Sequence, residues 1–193
     1  MLTLYFAPGA SSMAPHIALH EIGVPFDAKP LSFAKNELRA PEFLSLNPEG
    51  KVPTLLIDRR PLTEVAAILF YLARRYPEAG LLPNGDAEAE AQVVSWMSFI
   101  AATIHPVLRL RNERTTQAFG YADGKLARRE WAVGRYSIAD MHLFRLYWRY
   151  ARSVKPDRGT FPNLSAHHDR MMQRPAVQRT CEIEAAIGYE LPW

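Results

Sequence analysis

Cysteine is nearly absent. Cys181 stands alone in 193 residues, so no internal disulfide can form, and a reducing cytoplasm is the expected setting. Charge of one sign is also lacking. Lys and Arg number 23 against 20 Asp and Glu, a net charge of +3. That is too small for the basic footprint nucleic acid requires, so no nucleic-acid partner is expected. Long apolar runs are missing as well. The longest uncharged stretch, 91–108, holds Gln92, Ser95, Ser98, Thr103, His105 and Pro106, which suits a buried core helix better than a membrane span. The N-terminus shows no basic segment followed by an apolar one, so no secretion signal is expected. Repeats and low-complexity segments are absent. Metal-ligand spacing is absent too: His16 and His20 share a helix face without a third ligand nearby, and the adjacent His167 and His168 point apart. No metal is expected.

What is present is ordinary for a globular chain: 48% hydrophobic and 22% charged residues, with length enough to bury a core. The first part alternates strand and helix signals. Leu4-Tyr5-Phe6 belongs to a strand over 2–6, broken by Pro8-Gly9. A helix over 12–22 follows, with Pro15 in its first turn and Gly23 as its stop. Strands are expected at 26–31, 52–57 and 61–62, with a short helix at 41–46 and a longer one at 63–76, where Val65, Ile68, Leu69 and Leu72 repeat at helical spacing. Proline and glycine then mark a linker at 78–86. After it no strand signal recurs. Helices are expected over 87–114, 122–131, from Ser137 onward, 162–173 and 175–187. Arg145, Arg149, Arg152, Lys155 and Arg158 recur at spacings near four, which predicts a solvated helix face. The organisation is therefore an α/β domain over 1–77, a linker over 78–86 and an all-helical domain over 87–193.

Three motifs carry chemistry. A strand feeding a helix through Pro8-Gly9 leaves free backbone N–H groups at the helix start, where an anion is favoured. Ser11 and Ser12 both stand there. Ser12, immediately before the helical pattern, fits an N-cap, which leaves Ser11 to face a ligand. Val52-Pro53 enters an apolar strand. If that bond is cis, the Val52 backbone is free to pair with a peptide-like ligand; otherwise Pro53 simply starts the strand. Glu64 opens the next helix, either complementing the dipole or binding a ligand ammonium. Further on, Ser137 and Asp140 have the spacing of a capping box, a structural feature.

Taken together and in order, these motifs resemble the glutathione transferase family, and most closely its bacterial beta-like class. YFAPGASSMAPHIALHEIG is similar to the family's first strand and helix, NPEGKVPTLL to its cis-proline loop, and LTEVAAILFYLARRYP to its glutamyl-binding helix. WMSFIAATIHP resembles the segment that carries a histidine in the beta class, and Gly134 to Asp140 its interior capping motif. The resemblance implies a thioredoxin-like N-terminal domain and an all-α C-terminal domain. It implies that Val52, next to a cis Pro53, pairs with the cysteinyl backbone of glutathione. Glu64 and the Val65 N–H would hold the γ-glutamyl group, Lys35 and Lys51 would belong to the glutathione-binding set, Ser11 would face the sulfur, and His105 would lie near the active site. It also implies a homodimer built around the 63–76 and 87–114 helices.

Ser11 suffices for the implied chemistry. A thiol of pKa about 8.5 needs a downward shift of roughly 2 units, about 2.7 kcal/mol, to be mostly ionised at pH 7. A hydrogen bond to the charged sulfur contributes about 1.5–3 kcal/mol and a helix N-terminus about 0.3–1 kcal/mol. The expected function is conjugation of the glutathione thiolate to an electrophilic, apolar small molecule, with glutathione as co-substrate and no metal. Three departures bear on it. Serine at position 11 replaces the usual cysteine and argues against a mixed disulfide. Val65 replaces a common serine. The segment from His105 to Asp140 is shorter by about a dozen residues, roughly three helical turns, which opens the second-substrate pocket. They leave two alternatives: a non-catalytic protein of this fold that binds a protein partner, or a specialised glutathione-dependent isomerase or dehalogenase.

Overall fold

A computed structural model of the chain describes residues 1–83 and 85–190. Position 84, inside the expected 78–86 linker, and positions 191–193, the end of the expected helical domain, lie outside the described residues. The chain divides into two compact units.

The first unit comprises Met1–Leu72 and the C-terminal helix. Its elements are β1 (Leu2–Phe6), α1 (Met13–Ile22), β2 (Asp27–Pro30), α2 (Pro41–Leu44), β3 (Thr54–Ile57), β4 (Arg60–Thr63) and the start of α3 (Val65–Arg75). Among the described residues the strands form a four-stranded sheet in the order β2-β1-β3-β4. β1 runs parallel to β2 and antiparallel to β3, and β4 is antiparallel to β3. Leu4, Leu55, Met13, Ile17, Leu19, Ile68, Leu69 and Leu72 are fully buried and make the core. Gly23 ends α1 in the left-handed conformation, φ +75°, and its N–H bonds Leu19 O at 3.0 Å, the stop that its position predicts.

The second unit runs from Ala73 to Arg174. It contains α4 (Ala87–Phe99), a π-helical stretch (Ile100–Ile104), α5 (His105–Val107), α6 (Glu113–Leu126), α7 (Ile138–Val154) and α8 (Pro162–Met172). α7 is buried along most of its length. Its capping box is formed: Ala139 N–H donates to Ser137 Oγ at 3.3 Å and Ser137 N–H to Asp140 Oδ2 at 2.9 Å. Asp140 Oδ1 also meets Ala132 N–H at 2.8 Å and His167 Nε2 at 3.0 Å.

Several expectations are corrected. The 87–114 helix is not continuous. Pro106 has no N–H to give the preceding turn, and the helix widens into a π-turn before it, with His105 N–H bonded to Ile100 O. The next helix starts at Glu113, capped by the Asn112 side chain, which accepts from Arg114 N–H at 3.1 Å, and it ends at Leu126, so residues 122–131 are not one helix. Arg145 and Arg149 are 1% and 6% exposed. The helix that carries them is the interior helix of its unit, so they do not form a solvated face. α9 (Pro175–Ile187), expected in the helical domain, belongs to the strand-bearing unit, where it packs on α1.

Candidate functional site

Strand register decides which loops meet. Phe6 pairs with Pro30, Tyr5 with Thr54, and Thr54 with Thr63. Neighbouring strands lie about 4.8 Å apart. The ends of β1, β2 and β4 and the start of β3 are therefore at one end of the sheet. From that end emerge the 8–11 loop, the 31–36 loop that carries Lys35, the Val52-Pro53 approach to β3, and Glu64. The three motifs and Lys35 share a rim because of this register.

The 8–11 loop is shaped from behind. Ser12 is fully buried. Its hydroxyl accepts from Ala7 N–H at 3.1 Å and donates to Ala7 O at 3.2 Å. It occupies the N-cap position of α1, as expected, but its side chain makes no cap bond to the helix: the hydroxyl closes the turn onto Ala7 instead. Ser11 is half-buried. Gly9, with φ +72°, donates its N–H to Glu184 Oε2 at 2.7 Å. Glu184 Oε1 lies 2.9 Å from His16 Nδ1, and both side chains are completely buried. The carboxylate from α9 thus bridges the 8–11 turn and the first helix. His16 stacks on His20 at 5.0 Å between ring centroids. Burial pushes the His20 imidazole down to about 4, with smaller contributions from His16 and Arg179.

The Val52-Pro53 peptide bond is cis. Asn47, 4% exposed, organises its approach. Asn47 Nδ2 donates to Lys51 O at 2.8 Å and to Thr54 Oγ1 at 3.2 Å, and Asn47 Oδ1 accepts from Glu49 N–H at 3.1 Å. Gly50 sits at φ +61°, and a Cβ there would stand 2.7 Å from Leu38 O and 2.6 Å from Arg39 Nη1. Val52 and Phe33 pack on Ala7 and Ala10, so the cis-proline loop and the 31–36 loop both touch the base of the serine loop. Lys51 is exposed, its Nζ 2.6 Å from Glu49 Oε2; that hydrogen bond raises its ammonium above the usual lysine value.

Glu64 is not inside α3 as expected. It precedes the helix with φ +69°, a left-handed conformation that costs a residue with a Cβ about 1–2 kcal/mol. Such strain concentrates at ligand sites. Its C=O accepts from Ile68 N–H at 2.9 Å while its side chain is exposed. Val65 is the first residue of the helix, so its N–H is one of the unpaired donors of the first turn. His105 is exposed and lies in the second unit, at the end of the π-turn.

Sequence reasoning missed Asn47, Glu184 and the left-handed Glu64. Asn47-Pro48-Glu49-Gly50 carried a turn signal that pointed to Asn47. Nothing local marks Glu184, whose partners are far away in the chain. Among the described residues no group of His, Cys, Asp and Glu could hold a metal, and no helix is long and apolar enough to cross a membrane.

Comparison with known proteins adds an independent line. The profile "Glutathione S-transferase, N-terminal domain" matches residues 1–74, and "Glutathione S-transferase, C-terminal domain" matches 106–175. The glutathione S-transferase GstA of Escherichia coli O157:H7 is 32% identical over 203 residues, covering 95% of this chain and 98% of its own. A sphingomonad glutathione S-transferase solved in complex with glutathione superposes with a TM-score of 0.84 at 32% identity, over 95% of this chain and 98% of that one. The bacterial beta-class glutathione S-transferase of Sphingomonas chungbukensis gives 0.79 at 34% identity, over 94% and 98%.

Proposed function

The chain belongs to the glutathione S-transferase family, and on that premise we propose that it conjugates the thiolate of glutathione to an electrophilic, apolar small molecule. Glutathione is the co-substrate. Its cysteinyl backbone pairs with the Val52 backbone beside the cis Pro53. Its γ-glutamyl group meets the Glu64 carboxylate and the Val65 N–H, and its glycyl carboxylate meets Lys35, with Lys51 nearby. The Ser11 hydroxyl donates to the sulfur, which gives its proton to solvent. The thiolate electron pair then forms the S–C bond, while the pair of the bond that breaks leaves with the leaving group or, in an addition, passes into the acceptor. His105 is the second residue proposed for the chemistry.

The observation that carries this reading is the pairing of the two serines' fates at one turn. Ser12 has its hydroxyl committed to Ala7 in both directions, and Ser11, one residue earlier, is half-buried beside it. Serine at this position supplies a hydrogen bond but no sulfur for a mixed disulfide, which favours conjugation over disulfide exchange. Phe70 on α3 and Val94 on α4 are exposed, at 39% and 47%, as pairing of two copies through these helices requires. The cytoplasm is the compartment the lone cysteine fits.

The test is turnover of a generic aromatic electrophile, with binding to immobilised glutathione measured alongside. Ser11→Ala should lose most turnover and keep much of the glutathione affinity. Full turnover in Ser11→Ala overturns the role given to Ser11. Absence of glutathione retention in the wild type favours the protein-binding alternative. Retention without turnover directs the search to an isomerase or a dehalogenase.

A further inference from the structure

The segment after α9 reaches back to the rim of the site. α9 ends at Ile187. Gly188 adopts φ +103°, a region that L side chains rarely enter, and its N–H donates to Glu184 O at 3.1 Å. The Tyr189 hydroxyl then donates to Cys181 O at 3.2 Å, which folds the tail along its own helix. These two contacts aim Glu190 at the 31–36 loop. There the Ser32 hydroxyl lies 2.8 Å from Glu190 Oε2 and 3.0 Å from Oε1, and Ala34 N–H donates to Oε2 at 3.2 Å.

The loop so held is part of the rim. Leu31 N–H donates to Phe6 O at 2.7 Å, which fixes where the loop leaves the sheet, and Phe33 packs with Val52 on Ala7 and Ala10. Inside the loop, Ser32 N–H donates to Glu37 Oε2 at 2.7 Å and Lys35 N–H to Ser32 Oγ at 3.0 Å. Ser32 Oγ is the junction: it accepts from Lys35 on one side and donates to Glu190 on the other. The donors from Ser32 and the loop backbone hold the Glu190 carboxyl below the usual carboxylate range, with a smaller contribution from the Lys35 ammonium. Glu190 is therefore an anion to which the loop converges, and hydrogen bonds to a charged acceptor are the stronger kind.

We infer that Glu190 is a positioning residue for the glutathione site, holding the Ser32–Lys35 turn so that Phe33 and Lys35 stand ready against the bound tripeptide. The inference rests on the proposed function. Glu190 touches neither substrate nor sulfur; it acts through the loop.

The test is glutathione affinity by titration calorimetry, with steady-state kinetics and amide hydrogen exchange. In Glu190→Ala the dissociation constant and KM for glutathione should rise roughly three- to tenfold, the value of about one hydrogen bond. kcat should stay within about twofold, because the thiolate's surroundings are untouched. The Ala34 amide should exchange faster. Glu190→Gln, which keeps an acceptor for Ser32, should recover part of the affinity. Ser32→Ala added to Glu190→Ala should weaken binding by less than the sum of the two single effects, since both substitutions remove the same Ser32–Glu190 hydrogen bonds. Glutathione affinity unchanged in Glu190→Ala, or fully additive effects of the two substitutions, overturns the inference alone. Wild-type protein that binds no glutathione overturns the proposed function and this inference with it.

Discussion

His142 makes stability depend on pH in a calculable way. It lies in the interior of α7, 4% exposed. Burial, and after it His105 and Arg145, pushes its imidazole from 6.5 down to about 3. The folded state therefore keeps His142 neutral while the unfolded chain protonates it below pH 6.5. Between those values the unfolded state binds more protons, so stability falls as pH falls. At about 1.4 kcal/mol per unit of displacement, the loss at pH 5 is about 2 kcal/mol, approaching about 5 kcal/mol near pH 3. Two kcal/mol is a large share of the roughly 5–15 kcal/mol that holds a domain together. The perturbation is a move from pH 7.5 to pH 5, read by urea unfolding. His20 and His168, also lowered by burial, act in the same direction, so the measurement is the difference between wild type and His142→Leu. The variant should lose about 2 kcal/mol less than the wild type over that step. Parallel losses in the two proteins would refute the assignment of a neutral, buried His142.

Glu184→Ala removes both oxygens that Gly9 N–H and His16 Nδ1 now face; the lost buried bonds should cost about 1–3 kcal/mol or more in denaturant unfolding and lower turnover by loosening the 8–11 loop, and a cost under about 0.5 kcal/mol, the range of a neutral surface change, would show the bridge to be idle. Gly50→Ala must place a Cβ 2.7 Å from Leu38 O at φ +61°; it should destabilise by about 2 kcal/mol or more and weaken glutathione binding by shifting the cis-proline loop, read by thermal unfolding and titration calorimetry.

The strand-and-helix order of the first unit was legible because its signals are local. Leu4-Tyr5-Phe6, the break at Pro8-Gly9 and the stop at Gly23 lie where the structure has β1, the turn and the end of α1. Misses came where the deciding partner is distant or where two local options compete. Ser12 had a helix to cap, but Ala7 offered both an N–H and a C=O, and the turn took the hydroxyl. Pro106 hinted at a disturbed helix, yet whether the preceding turn breaks or widens depends on packing around it. Arg145 and Arg149 recur like a surface stripe; their burial follows from α7 being enclosed by its unit, which spacing does not reveal. Glu184 sits on a helix whose pattern gives no reason to expect a buried acid, because its partners Gly9 and His16 are supplied by the other end of the chain.

α9 and the two residues that follow Gly188 add something the motifs do not. The motifs contain the groups proposed to touch glutathione, and each lies on a loop at one end of the sheet. Two of those loops are braced by acids from the C-terminal segment, Glu184 at Gly9 and Glu190 at Ser32 and Ala34. The C-terminal-domain profile stops at residue 175, where this bracing segment starts. The contacts that hold the serine loop and the Lys35 loop thus come from a stretch that neither profile covers. A substitution there changes how firmly the loops are held without changing any group that meets the ligand. On the proposed function, the C-terminal segment from α9 onward therefore acts on both sides of the site, through Glu184 on the loop that carries Ser11 and through Glu190 on the loop that carries Lys35.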